Sequence, residues 1–395
     1  MKITTLDVIV CKPNVIGSVI CVRVNTDDGI SGFGEAGLSY GKAHHAGVGI
    51  VRDFAKELIG RDPFQNEAIW EHLFRTTFWG MGGGGVIFSG ISALDTALWD
   101  IKGKALGVPV YQLLGGKTNA SIRAYASQLQ FDWAKEHRNL TEPSQYAEAV
   151  KKAMAAGYTA VKVDPIGVTD QGRWARESVD PNWRMRGKLS AKMVRTAKER
   201  VQAMREAGGE DLDIIIELHS FTDTTTAVQL GRALEEYDIY YYEEPVHPLN
   251  VESMLEVHRQ VAIPIASGER IYGRWGFRPF LEARALQVIQ PDLNNSGGIT
   301  ETKKICDLAN SYDAAVQLHV CGGPIATAVS LQVEAVIPNF LIHEVHEGAI
   351  KQDMVELGAY DYQPVNGSYQ VPDLPGIGQE LSEKALAEAE IFTIS

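Results

Sequence analysis

The feature that most constrains this chain is a regular spacing of acids. Three short apolar runs each end in a glutamate: Ile214–Glu217, Tyr240–Glu243 and Ile263–Glu269. Apolar runs of this length, bounded by polar or turn residues, read as buried strands of a parallel sheet. Glu217, Glu243 and Glu269 stand 26 residues apart, about the length of one strand, one loop and one crossover helix. The phase continues through Asp292, His319 and Glu344, at steps of 23, 27 and 25. Six consecutive strands that end in an ionisable residue at one phase describe a βα barrel, which carries its active site on the C-terminal ends of its strands. A preference for acids at helix N-caps also puts carboxylates after strands. It does not explain histidines in the same ring, or acids on the strand side of each loop.

The 395 residues allow a barrel of about 250 residues and a second domain. Residues 1–118 do not follow the spacing. Ile3–Cys11 and Ser18–Val24 alternate as strands, with Asp27-Asp28-Gly29 between the second and a third at Ile30–Glu35. Helices are expected over His44–Leu58 and Pro63–Phe78, and a third where Ile91, Leu94, Leu98 and Ile101 recur at helical spacing. The fold class is therefore α/β: an α+β domain over 1–118, a barrel over 119–348, and a segment over 349–395 that returns to the first domain. Barrel strands 1 and 2 fall at Ile122–Ser127 and Tyr158–Asp164. Pro165–Arg186 reads as an insertion at the active-site end, and Gly376–Gly378 as a tightening near its mouth. Net charge is −13, which disfavours nucleic acid. No stretch is apolar enough to span a bilayer, and the start lacks a signal peptide's apolar core. Cys11, Cys21, Cys306 and Cys321 show no CxxC spacing and read as ordinary thiols. A cytoplasmic enzyme fits these facts.

Three converging carboxylates repel one another unless a cation sits between them. An all-oxygen donor set selects a hard ion, Mg²⁺, with Mn²⁺ as a substitute. Glu217, Glu243 and Glu269 are its expected ligands. His219 lies two residues beyond Glu217 and so points to the same face; it is either a fourth ligand or, in better accord with the pattern, a group facing substrate. Asp292 and His319 end adjacent strands, and an Asp beside a His orients the ring and raises its basicity, as a general base requires. Glu344 closes the ring and is expected to hydrogen-bond a substrate oxygen. Lys162 and Asp164, at the end of strand 2, and Tyr40 and His45, in a Tyr/Lys/His-rich loop, are expected to touch substrate. Specificity is expected in Asn14–Ser18, Ser39–His45 and the insertion. The assembled ring suits abstraction of a proton next to a carboxylate.

These residues resemble a known family. Ala93–Lys104 (ALDTALWDIKGK), Glu243-Glu244-Pro245, Gly268-Glu269-Arg270, Gln290-Pro291-Asp292 and Gly297-Gly298-Ile299-Thr300 are similar to the motifs of the enolase superfamily, mandelate racemase subgroup, whose sites pair a Lys or His base with Mg²⁺. The resemblance implies a modified (β/α)₈ TIM barrel, of (β/α)₇β form, under a capping domain built from both termini. It implies Mg²⁺ on Glu217, Glu243 and Glu269, a His319–Asp292 base pair, a small-molecule sugar-acid substrate and an even-numbered homo-oligomer. Racemases of the subgroup carry a second Lys where this chain has Asp164, which disfavours two-base racemisation. Dehydratases similar to those for galactonate and mannonate carry a His two residues after the first ligand, usually after an Asp where this chain has Glu217, to protonate the departing hydroxyl; His219 holds that position here. The expected activity is Mg²⁺-dependent dehydration of an aldonate or aldarate. The alternatives are a cycloisomerase or epimerase on the same scaffold, and a metal-bound sugar-acid binder without catalysis.

Overall fold

The computed structural model describes residues 1–13, 17–176 and 185–395. Asn14–Ile16 and residues 177–184, which belong to two of the expected specificity segments, lie outside the described residues. Strands β1 (Ile3–Cys11), β2 (Val19–Thr26) and β3 (Ser31–Ala36) form an antiparallel sheet. The barrel strands are β4 (Ser121–Ser127), β5 (Ala160–Val163), β6 (Asp213–Glu217), β7 (Ile239–Glu243), β8 (Ile265–Ser267), β9 (Val288–Ile289), β10 (Ala315–Val316) and β11 (His343–His346). Two short strands follow, β12 (Ser368–Gln370) and β13 (Glu390–Ile394). β13 pairs antiparallel with β1, so the C-terminus completes the N-terminal sheet.

The barrel strands pair in parallel in the order β4 to β10, and β11 pairs with β4. A bridge from Val316 to Phe340 and a 2.8 Å bond from the Leu341 amide to the Val316 carbonyl close the circle between β10 and β11. Each of the first seven strands leads into a helix, from Pro143–Ala155 to Pro324–Glu334; β11 leads only into short turns. This is the (β/α)₇β form of the barrel. The main core lies between strands and helices, where β6 buries Ile214 and Ile216. A smaller cluster that includes Tyr125, Ile215 and Tyr241 fills the bottom of the barrel. Above it the inward positions turn polar, with Lys162, Glu217, Glu243 and Glu344 all at or below 2 % exposure.

The capping sheet is held on the barrel by the segments that carried the resemblance. The helix Gly85–Leu106 supplies Ser92, whose Oγ accepts the Gly297 and Gly298 amides at 2.9 and 3.0 Å. Asp95 accepts the Thr300 amide and hydroxyl at 2.9 and 2.6 Å. A Cβ on Gly298 would lie 2.5 Å from the Asp95 carboxylate, so this contact admits only glycine. Glu35, at the end of β3, accepts the Gly323 and Ala326 amides that open the helix Pro324–Glu334. Gly376–Gly378 does not tighten the mouth: Ile377 donates to Asp100 at 2.9 Å and Gly376 packs on Gly103, on the helix Gly85–Leu106. No helix of the described residues is long and apolar enough to cross a membrane.

Candidate active site

A cavity of about 470 Å³ opens at the C-terminal ends of the barrel strands. The capping domain contributes Gly37, Leu38 and Tyr40 to its wall, held there by a bond from the Gly37 amide to the Asn294 carbonyl at 3.1 Å. The barrel contributes Glu217, His219, Glu269, Asp292 and His319.

The two histidines are built alike. His319 Nδ1 lies 2.7 Å from Asp292 Oδ2, and Nε2 lies 3.4 Å from Glu269. His219 Nδ1 lies 3.0 Å from Asp164 Oδ2, and Nε2 lies 3.2 Å from Glu217. In each, an Asp fixes the ring through Nδ1 and leaves Nε2 toward the acids. Burial works to lower both pKa values, and the carboxylates reverse it: Glu269, Asp292 and Glu344 hold His319 well above the usual range, while Glu217 and Asp164 raise His219. In the ring of eight, β6 and β10 lie opposite each other, so His219 and His319 face one another across the cavity.

Among the described residues, Glu217, Glu244 and Glu269 bring one oxygen each within 4.8 Å of one another. The middle member of this trio is Glu244, next to the expected Glu243. Glu243 is the last residue of β7, in register with Glu217, and its carboxylate turns into the barrel to Lys162 at 2.6 Å. Glu244 begins the loop with φ 43°, a left-handed backbone that swings its side chain to Arg270 and the trio. Burial pushes Glu244 up to about 7; burial also opposes ionisation of Glu269, but Arg270, His319 and His219 hold it down to about 2. Glu243 Oε2 and Glu244 Oε1 are buried and accept no hydrogen bond. A cluster of carboxylate oxygens with orphaned buried acceptors fits a hard divalent cation. Gln128, Glu244 and His219–Ser220 all take positive φ at this site, a clustering of backbone strain typical of functional centres.

Four other expectations change. Lys162 does not line the cavity: it is 1 % exposed and pairs with Glu243, with Glu344 at 2.8 Å and with Glu217 at 3.4 Å. Asp164 is buried and positions His219 instead of lining the cavity. Glu344 has both oxygens engaged, one by Ser127 at 2.6 Å and Lys162, the other by the Val320 amide at 3.1 Å, and sits below the cavity floor. His45 lies in the first turn of the helix His44–Lys56, exposed and outside the cavity wall. Sequence reasoning missed Gln128, which donates to Glu217 at 2.8 Å, and Arg176, which donates to Asp164 at 2.8 Å. It also missed Trp174, set edge-on to the His219 ring at 5.4 Å. All three sit in loops after β4 and β5, where no periodicity marks them.

Comparison with known proteins agrees with this architecture. The family model for the mandelate racemase / muconate lactonizing enzyme N-terminal domain matches residues 13–115, and the enolase C-terminal domain-like model matches residues 145–385. The chain belongs to the enolase superfamily. A D-galactonate dehydratase from Ralstonia nicotianae is 33% identical over 396 residues, covering 98% of this chain and 94% of that protein. One from Pectobacterium atrosepticum is 34% identical, covering 93% and 90%. The crystal structure of an enolase-superfamily member from Salmonella Typhimurium superposes with a TM-score of 0.96 at 51% identity and full coverage of both chains. This enolase-superfamily chain is accordingly an enzyme, and the names of its curated relatives are those of hydro-lyases.

Proposed function

We propose that this enzyme dehydrates a hydroxylated sugar acid to a 2-keto-3-deoxy acid. The observation that carries the reading is the pair of His–Asp units on opposite sides of one cavity, beside the acid trio. One imidazole can take the C2 proton while the other meets the hydroxyl that leaves C3. The relatives named D-galactonate dehydratases support the same reaction class.

His319 is the base. It takes the C2 proton through Nε2, and Asp292 holds the resulting imidazolium. The electrons of the C2–H bond move toward the carboxylate and give an enediolate. His219 then gives its Nε2 proton to the C3 hydroxyl, which departs as water while the C2–C3 double bond forms. The enol tautomerises to the keto acid. Mg²⁺ or Mn²⁺ on Glu217, Glu244 and Glu269 would supply positive charge beside the substrate carboxylate, which acidifies C2 and stabilises the enediolate. Lys162 and Glu344 set the charge beside the site, with Glu344 4.0 Å from His319 Nε2.

One observation favours a second reading. Two opposed imidazoles also suit epimerisation at C2, with removal on one face and return on the other. The test is a panel of aldonic and aldaric acids with Mg²⁺ in D₂O, followed by a keto-acid assay and proton NMR. Keto acid establishes dehydration. Deuterium at C2 without keto acid moves the assignment to epimerisation. An even-numbered homo-oligomer in the cytoplasm belongs to the same proposal, and sedimentation tests the assembly.

A further inference from the structure

The capping domain holds one of the two His–Asp units and not the other. The end of β3 meets the loops that follow β9 and β10, and Glu35 is fully buried there. Its Oε1 accepts the Gly323 amide at 2.7 Å and its Oε2 the Ala326 amide at 3.0 Å. Gly323 ends the short loop that starts at His319, just before the helix Pro324–Glu334. The other end of that loop is tied by the bond from the Val320 amide to Glu344 at 3.1 Å. A Cβ on Gly322 would lie 2.5 Å from Glu35 Oε1, so the loop runs directly against the carboxylate.

Two residues on, Gly37 grips the neighbouring loop. Its amide donates to the Asn294 carbonyl at 3.1 Å, and Asn295 Nδ2 donates to the Gly37 carbonyl at 3.3 Å. A Cβ on Gly37 would lie 2.2 Å from Asn295 Nδ2, so this approach requires glycine. That loop is built on Asp292. Its Oδ1 accepts the Asn294 amide at 2.9 Å, and its carbonyl accepts the Asn295 and Ser296 amides at 2.9 and 2.7 Å. Asp292 and His319 are also bridged to each other through the backbone. Among the described residues, β3 and Gly37 make no hydrogen bond to the loops that carry His219 and Asp164. Glu35 is absent from the cavity wall, so it acts on the site only through what it holds. A displacement of about 1 Å in a reacting group costs about 10²-fold in rate, which makes such a grip matter to catalysis.

We propose that Glu35 is a positioning residue for the base: with Gly37 it clamps the loops of His319 and Asp292, so that the capping domain sets the geometry of this pair and leaves the His219–Asp164 pair to the barrel. The proposal rests on the reading of His319 as base. The test uses the full chain with Mg²⁺ at about pH 8.5, above the value of about 7 to which burial pushes Glu35 against its two amides. Glu35→Gln keeps the shape and one acceptor but turns an amide donor toward a backbone amide. It should lower kcat for C2 exchange in D₂O by about tenfold, and Glu35→Ala by about 100-fold, with KM and Mg²⁺ affinity within about twofold of wild type. Placed on His319→Asn, Glu35→Gln should change the residual exchange by less than about twofold, because a residue that acts only through His319 has nothing left to position. Crystal structures of the wild type and Glu35→Gln should differ at His319 and the loop to Gly323 while His219 and Asp164 superpose. Unchanged exchange in Glu35→Gln overturns the proposal, as does a full tenfold loss on the His319→Asn background. So does an unmoved His319, or a displacement of both His–Asp pairs alike, which would make Glu35 a general support of the fold. If no acid in the panel exchanges at C2, the reading of the reaction fails, and the two crystal structures decide the clamp alone.

Discussion

The two His–Asp units face each other across one cavity and differ in one partner. Asp292 gives Oδ2 to His319 and takes the Asn294 amide on Oδ1 at 2.9 Å. Asp164 gives Oδ2 to His219 and takes the Ile166 amide on Oδ1 at 3.1 Å. The backbone arrangement is the same. Only Asp164 shares the imidazole-bound oxygen with a guanidinium, that of Arg176 at 2.8 Å. A carboxylate that is already neutralised lends less negative charge to its imidazole, so His219 gives up a proton more readily than His319. Environments that push two like groups apart separate acid from base. On the proposed reading, Arg176 beside Asp164 and Glu344 beside His319 together set the two imidazoles apart.

The largest expected effect comes from removing the base. His319→Asn should lower both keto-acid formation and C2 exchange by roughly 10²- to 10⁴-fold, read by NMR in D₂O; exchange that survives would assign the base elsewhere. Next are the supporting acids. Asp292→Asn should lower exchange and dehydration together, while Asp164→Asn should lower dehydration alone, each by about 10²-fold. The same loss pattern in both variants would dissolve the distinction between the two sides. The proposed cation would sit between them, so its ligands sharpen the comparison further. Glu244→Gln should weaken Mg²⁺ binding by at least about tenfold, and more than Glu243→Gln does; titration calorimetry decides, and the reverse order would restore Glu243 as the ligand. The smallest effect belongs to Arg176→Met, which should slow dehydration by about tenfold while leaving C2 exchange within about twofold. Faster dehydration in this variant would contradict the role given to the guanidinium.

Much of this was legible in the sequence, because the barrel imposes one period on chain and chemistry alike. Each βα unit returns the backbone to the same height, so Glu217, Glu269, Asp292 and His319 announce themselves by spacing. The helix with Ile91, Leu94, Leu98 and Ile101 was equally plain from its apolar face, and all four are buried. What spacing could not resolve was a choice within one residue. Glu243 and Glu244 are adjacent, and only the positive φ of Glu244 sends the second acid to the trio. Nor could it reveal how the interior balances charge. Lys162 looks like a substrate cation until the three buried acids around it are seen. Asp164 looks like a substrate contact until His219 folds back over it from the next strand. Gln128, Trp174 and Arg176 come from loops, whose conformations depend on the elements they cross.

The central claim is that His319 acts as base and His219 as acid. His219→Asn, incubated with Mg²⁺ and the best aldonate in D₂O, tests it most directly. The account predicts deuterium at C2 with keto-acid formation lost. Keto acid at the wild-type rate, or the loss of exchange together with dehydration, would contradict it.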